Sequence, residues 1–217
     1  VFSVADQLCY YAKNAGKFLK PRKRKVHGLL GLMKQLRIVY KPLGVVGLIT
    51  PWNGPFVLLM NQAAQAIMAG NAVVAKGSEV TPYSAKLAED IFREAGLPEG
   101  VLQVLLGDGE TGAAIVEGGV DKVSFTGSVA TGRKVAEACA RQLIPVTLEL
   151  GGNDAMIVLA DADLERATNG AAWAGYQNAG QSCGGVERIY VEAAVYDDFV
   201  ERLAKKTRAL RHGPGHG

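Results

Sequence analysis

Cys183 lies in Gly180-Gln181-Ser182-Cys183-Gly184-Gly185, among some of the smallest residues available. A thiolate is a soft nucleophile. Glycine neighbours let a substrate carbonyl approach the sulfur and leave backbone N–H groups to stabilise an oxyanion. An isolated cysteine is more often a small buried hydrophobe, and Cys9 and Cys139, within helix-patterned stretches, read as structural. Glu149, in Glu149-Leu150-Gly151-Gly152, closes an apolar run. It reads either as an exposed strand-end carboxylate or as a general base whose pKa burial raises. Asn53, in Pro51-Trp52-Asn53, reads either as an Asx-turn residue or as an amide donor to an oxyanion. Nucleophile, base and donor together make up the parts of covalent chemistry on a carbonyl.

Two further segments suit a dinucleotide. In Lys76-Gly77-Ser78-Glu79, a carboxylate and an ammonium at a strand end can hold the hydroxyls of a ribose. Equally, Ser78 or Thr81 could simply cap the next helix. Phe125-Thr126-Gly127-Ser128-Val129-Ala130-Thr131-Gly132 joins a strand-like to a helix-like stretch. Its glycines and Ser128 would set backbone donors and a helix N-terminus against a pyrophosphate, unless it is an ordinary glycine-rich turn. No GxGxxG stands there.

The elements that must position these residues alternate. Strand-like runs at 45–50, 72–75, 101–106, 122–125, 146–150, 155–159 and 188–192 alternate with helix-like runs at 56–69, 83–95, 111–117, 129–141, 164–178 and 195–210, except that none falls between 146–150 and 155–159. Residues 1–18 read as a helix already under way. Short apolar strands between helices predict a parallel sheet covered on both faces, an α/β architecture wound like a dinucleotide-binding domain. In such sheets ligands bind beyond the carboxyl ends of the strands, where Asn53, Lys76, Glu79, Gly127, Ser128 and Glu149 fall. Residues 26–33 and 35–41 are expected to form an antiparallel hairpin outside the main sheet.

A net charge of +3 is too small to argue for nucleic acid. The local run Lys20-Pro21-Arg22-Lys23-Arg24-Lys25 reads as a solvated connector, with an acidic partner or a phosphate as the alternative. Three cysteines without a CxxC pair argue against disulfides and structural zinc, and for a reducing, cytoplasmic setting. The apolar stretch 56–70 is too short to span a bilayer and contains Asn61, Gln62 and Gln65. The tail from His212 to Gly217 reads as a turn.

Taken in order, these blocks resemble the aldehyde dehydrogenase superfamily, over residues 41–210 and more loosely before. The resemblance implies Cys183 as nucleophile, Glu149 as the base that activates water and Asn53 as oxyanion donor. It implies Lys76 and Glu79 on the adenosine ribose, Trp52, Gly127 and Ser128 along the cofactor groove, and Gly132 and Leu150 as further cofactor-binding positions. Gly77 stands where the family has proline. A carboxylate at Glu79 disfavours a 2′-phosphate, so NAD is expected over NADP. The implied reaction oxidises a small-molecule aldehyde to an acid through a thiohemiacetal and a thioester, and Glu149 disfavours the subgroup that acylates coenzyme A.

The implied organisation is an incomplete Rossmann-like cofactor domain (1–23 and 43–150), an oligomerisation hairpin (24–42) and the start of a catalytic domain (151–217). A homo-oligomer, dimer or tetramer, is expected, with no nucleic-acid and no membrane partner. Family members are about twice this long, so the chain is expected to be a fragment, inactive alone. The alternative is a non-catalytic cofactor-binding or assembly module built on the same scaffold.

Overall fold

The computed structural model describes residues 2–211 and Gly213, so most of the turn-like tail at 212–217 lies outside the described residues. The chain divides into two compact units, residues 1–149 and 150–217. No helix among the described residues is long and apolar enough to cross a membrane.

The first unit opens with α1 (Phe2–Phe18), which packs on α2 through Val4 and Leu8. Strands β1 (Arg22–Arg24) and β2 (Leu36–Ile38) pair antiparallel, Arg22 opposite Ile38. The hairpin therefore starts earlier than the apolar pattern suggests. Residues 28–32 do not extend; Gly28, at φ 68°, leads into a 3-10 turn over Gly28–Leu32. Within the basic run Arg22–Arg24 form a strand, and all of residues 20–25 are exposed, as the solvated reading expects.

The main sheet follows. Its strands are β3 (Val45–Ile49), β4 (Ala72–Lys76), β5 (Leu102–Leu105), β6 (Lys122–Thr126) and β7 (Val146–Glu149). The order is β5-β4-β3-β6-β7, all parallel. The crossovers are α2 (Pro55–Met68), α3 (Pro82–Glu94), α4 (Gly109–Glu117) and α5 (Val129–Gln142). Val46, Leu48 and Val73 are buried in the strands against Leu59, Met60 and Ala63 of the α2 stripe, and Val123 and Phe125 are buried in β6. Each large side chain buried this way contributes about 1.5–3 kcal/mol. Chain starts are set by local chemistry: Pro55 and Pro82 sit in the first turns of α2 and α3, and Asp108 caps α4 by accepting from Glu110 N at 3.0 Å.

The second unit holds β8 (Asp154–Val158) and β9 (Val186–Val191), parallel to each other and separate from the five-stranded sheet. The connection is α6 (Leu164–Tyr176), capped by Asp163, and α7 (Tyr196–Ala209) follows. Val158, Ala171 and Phe199 form its core. Helix α6 stops two residues before the sequence pattern does, because Asn178 and Ala179 turn left-handed, at φ 51° and 56°.

One buried side chain ties the first unit together. Asn71 Oδ1 accepts from Leu43 N at 2.6 Å and Gly44 N at 3.1 Å, and its Nδ2 donates to Ala66 O at 2.9 Å. It thereby joins the entry into β3 to the last turn of α2. Replacing Asn71 with Ala strands these backbone groups, and a loss of about 2–3 kcal/mol is expected. Urea unfolding followed through Trp52 fluorescence in a Trp173→Phe background measures it; an unchanged midpoint contradicts the assignment.

Candidate active site

The registers align the strand ends. Ile49 lies beside Lys76 on one side and Phe125 on the other, and Thr126 lies beside Glu149. From β3 the chain builds outward to β4 and β5, then returns to add β6 and β7 on the opposite side. The direction of winding therefore reverses between β3 and β6. That is where open α/β sheets leave a crevice for ligands. The turn after β3 carries Trp52, exposed, and Asn53, half-buried, ahead of Pro55.

At the end of β4, Lys76 is 5% exposed. Its stem is buried, and Nζ reaches out to Glu79 Oε2 at 2.8 Å. The hydrogen bond from Lys76, then one from the backbone and then the Lys76 charge hold the Glu79 carboxyl below its usual range. Glu79 is largely exposed and remains open to a ligand hydroxyl. The helix-cap alternative for this segment is not realised. Thr81 occupies the cap position of α3 without a side-chain bond, and Ser78 Oγ accepts from Val80 N, before the helix.

After β6, Ser128 caps α5: its Oγ accepts from Thr131 N at 3.2 Å and its hydroxyl donates to Thr131 Oγ1 at 3.0 Å. Helix geometry leaves first-turn amides beyond that cap for an anion. The amides of Gly127 and Gly132 have partners within the fold. Gly127 N donates to Glu149 O at 3.0 Å, and a Cβ on Gly127 would meet the Phe125 ring at 2.6 Å. Gly132 is buried and donates to Ser128 O at 2.8 Å. Glu149 itself is exposed at the end of β7, so the burial expected of a base is not supplied by these residues.

The second unit carries Leu150, half-buried at its start, and Cys183, exposed in a turn before β9. Arg188 fastens the residue 150–153 loop by donating from Nη2 to Asn153 O at 2.7 Å and from Nε at 3.2 Å. Ahead of Cys183, Asn178, Ala179 and Gly180 take three successive left-handed conformations. For the two non-glycine residues each costs on the order of 1–2 kcal/mol, and such strain collects at functional loops. The glycines divide their labour. Gly180 turns the backbone at φ 76°; Gly185 packs so closely that a Cβ would meet Ser182 O at 3.2 Å and Ala174 O at 3.4 Å; at Gly184 a Cβ would make only an ordinary contact, 3.8 Å from Asp154 Oδ2. Tyr176, at the end of α6, is 45% exposed.

Sequence reasoning passed over Gln62. Ser124 Oγ donates to Gln62 Oε1 at 2.8 Å and Gln62 Nε2 donates to Thr126 Oγ1 at 3.1 Å, linking α2 to β6 beneath the switch point. Gln62, one of three amide side chains in a largely apolar helix, was the signal.

Comparison with known proteins follows the geometry. The aldehyde dehydrogenase family model matches residues 1–216. The chain is 42% identical over 213 residues to a 4,4'-diapolycopene aldehyde oxidase of Methylomonas sp, covering 98% of this chain and 40% of that protein. A crystal structure of a Mycobacterium tuberculosis aldehyde dehydrogenase complexed with NAD+ superposes with TM-score 0.90 at 39% identity, over 97% of this chain and 43% of that one. An E. coli NADP dependent enzyme superposes with TM-score 0.91 at 36% identity, over 99% and 44%. The chain thus spans about two-fifths of the length of these relatives.

The three thiols differ in setting. Cys139 is fully buried, and burial pushes its thiol pKa up. Cys183 is exposed, and so is Cys9, which corrects its reading as a structural residue. Brief iodoacetamide labelling of the folded chain with peptide mapping is expected to modify Cys183 and Cys9 and to spare Cys139 until denaturant is added. Protection of Cys183, or native labelling of Cys139, contradicts this.

Proposed function

The chain belongs to the aldehyde dehydrogenase family, and on that premise we propose that it carries the cofactor face and the nucleophile of an NAD-dependent enzyme oxidising an aldehyde to a carboxylic acid. The observation that carries the reading is the row of strand ends: Asn53, Lys76 with Glu79, Ser128 and Glu149 all follow or close strands of one parallel sheet.

The residues present fit a dinucleotide. The Glu79 carboxylate would hold the hydroxyls of a ribose, and Lys76 keeps it ionised and aimed. The same charge repels a 2′-phosphate, which favours NAD over NADP. The first-turn amides of α5 supply donors to a pyrophosphate. What NAD contributes when bound is acceptance of a hydride.

The remaining chemistry falls to the chain. The Cys183 thiolate attacks the aldehyde carbon, forming a C–S bond as the carbonyl π pair moves to oxygen. The Asn53 amide and the Cys183 backbone N–H donate to that oxyanion, an interaction stronger in the transition state than before it. Once the hydride has left, the acyl group is held on Cys183 as a thioester. Glu149 takes a proton from water, the water oxygen bonds to the acyl carbon, and the C–S bond breaks to release acid and thiolate.

Two experiments test this. In protein of the relatives' full length, Glu149→Gln is expected to give a burst of NADH of about one equivalent per subunit, then turnover slowed by roughly 10²-fold or more. An unchanged steady-state rate overturns the role of Glu149, and persistent activity in Cys183→Ala overturns the nucleophile. Isothermal titration is expected to show NAD bound more tightly than NADP, with the preference lost in Glu79→Gln; equal affinities in the parent protein contradict the choice of cofactor.

A further inference from the structure

Among the described residues, three that are not glycine take a positive φ. Leu143 ends α5, where a left-handed residue is routine. The other two, Asn178 at φ 51° and Ala179 at φ 56°, are adjacent and stand just before the turn that carries Cys183. Asparagine tolerates this conformation because its short polar side chain bonds to nearby backbone. An alanine side chain offers no such compensation. Glycine would turn the same way without strain, and this stretch already uses it at positions 180, 184 and 185. The alanine therefore costs stability that a glycine would not.

The bonds around Ala179 show what the turn fixes. Asn178 O accepts from Gln181 N at 3.1 Å, and Asn178 Nδ2 donates to Gln181 O at 3.3 Å. Gln181 is clasped through both its amide and its carbonyl, with Ala179 and Gly180 enclosed between. Directly after it, Gly185 N donates to Ser182 O at 3.2 Å and closes a second turn around Cys183. Both ends of this segment stand on the last turn of α6. A Cβ on Gly180 would lie 3.4 Å from Gly175 O, and one on Gly185 would lie 3.4 Å from Ala174 O. The segment is thus anchored at its ends, yet three of its residues are glycines with wide backbone freedom. The left-handed basin open to a residue with a Cβ is narrow. At position 179 that narrowness limits the directions from which the chain enters residues 181–183.

We propose that Ala179 is a positioning residue for Cys183: its Cβ confines the left-handed turn and so holds the sulfur in line for the aldehyde, at a cost in stability. The role rests on Cys183 as the nucleophile and acts through the backbone alone. Strain kept beside a reacting group, where glycine would relieve it, is the mark of pre-organisation.

Ala179→Gly tests it by three measurements. In the 217-residue chain the Tm is expected to stay level or to rise by up to about 4 °C, because strain is relieved. In the same chain, deuterium exchange in peptides covering residues 177–185 is expected to quicken by roughly threefold or more, with β8 unchanged. In protein of the relatives' full length, the rate of the NADH burst is expected to fall by about tenfold or more, with NAD affinity by isothermal titration unchanged. Ala179→Asn keeps a Cβ and tolerates the left-handed basin, so it is expected to restore the burst rate and the slow exchange. A Tm that falls together with the burst rate marks a merely structural residue and overturns the proposal. An unchanged burst rate or unchanged exchange in Ala179→Gly overturns it too, as does an equally slow Ala179→Asn. Cys183→Ala separates this role from the reading beneath it. A burst that persists in Cys183→Ala overturns the nucleophile and the role together; a burst lost there but unaltered in Ala179→Gly overturns the role of Ala179 alone.

Discussion

Parallel pairing of β3 with strands on both of its sides is the constraint on which the candidate cofactor face depends. With Ile49 level with Lys76 and with Phe125, the strands end together and their following loops emerge along one edge. Parallel strands require crossovers, here helices lying on the sheet, and those crossovers need apolar strands and apolar helix stripes. The buried valines of β3, β4 and β6 and the buried stripe of α2 meet that need. Polar residues are left for the loops, where the backbone is free to approach a ligand.

Polar groups at the strand entries and under the sheet are handled by dedicated partners. Asn71 closes the amides at the entry to β3, and Asp121 accepts from Val45 N at 2.7 Å. Gln62 joins α2 to β6 through two hydroxyls. Each bond spans elements distant in sequence, so each fixes the height of one strand end relative to another. Lys76 belongs to the same system. Its buried stem and short ion pair make Glu79 a fixed, ionised acceptor rather than a mobile surface carboxylate.

The alternation of strand and helix was legible because every central strand is a short apolar run with a helical stretch after it, and those boundaries agree with the structure to within two residues. The hairpin misled because Gly28-Leu29-Leu30-Gly31-Leu32 looks like an apolar strand, while the left-handed Gly28 coils it into a 3-10 turn. Strands could be counted but not assigned to sheets, and nothing in the residues around β8 says that it leaves the main sheet. The glycines near Cys183 and in the Phe125–Gly132 block showed where the backbone is crowded or turned. They did not show which served a ligand: Gly127 and Gly185 answer to a ring and to carbonyl oxygens. Exposure was the least legible quantity. Cys9 and Glu149 are both open to solvent, and no local pattern distinguishes them from buried counterparts.

Hydrogen–deuterium exchange of the chain with and without NAD tests the central claim, that the aligned strand ends of the five-stranded sheet form the dinucleotide face. Protection is expected in peptides covering residues 50–54, 76–81 and 126–132, with the β1–β2 hairpin and α7 unchanged. Protection confined to other segments, or saturating NAD with no change at Lys76 to Glu79, would contradict it.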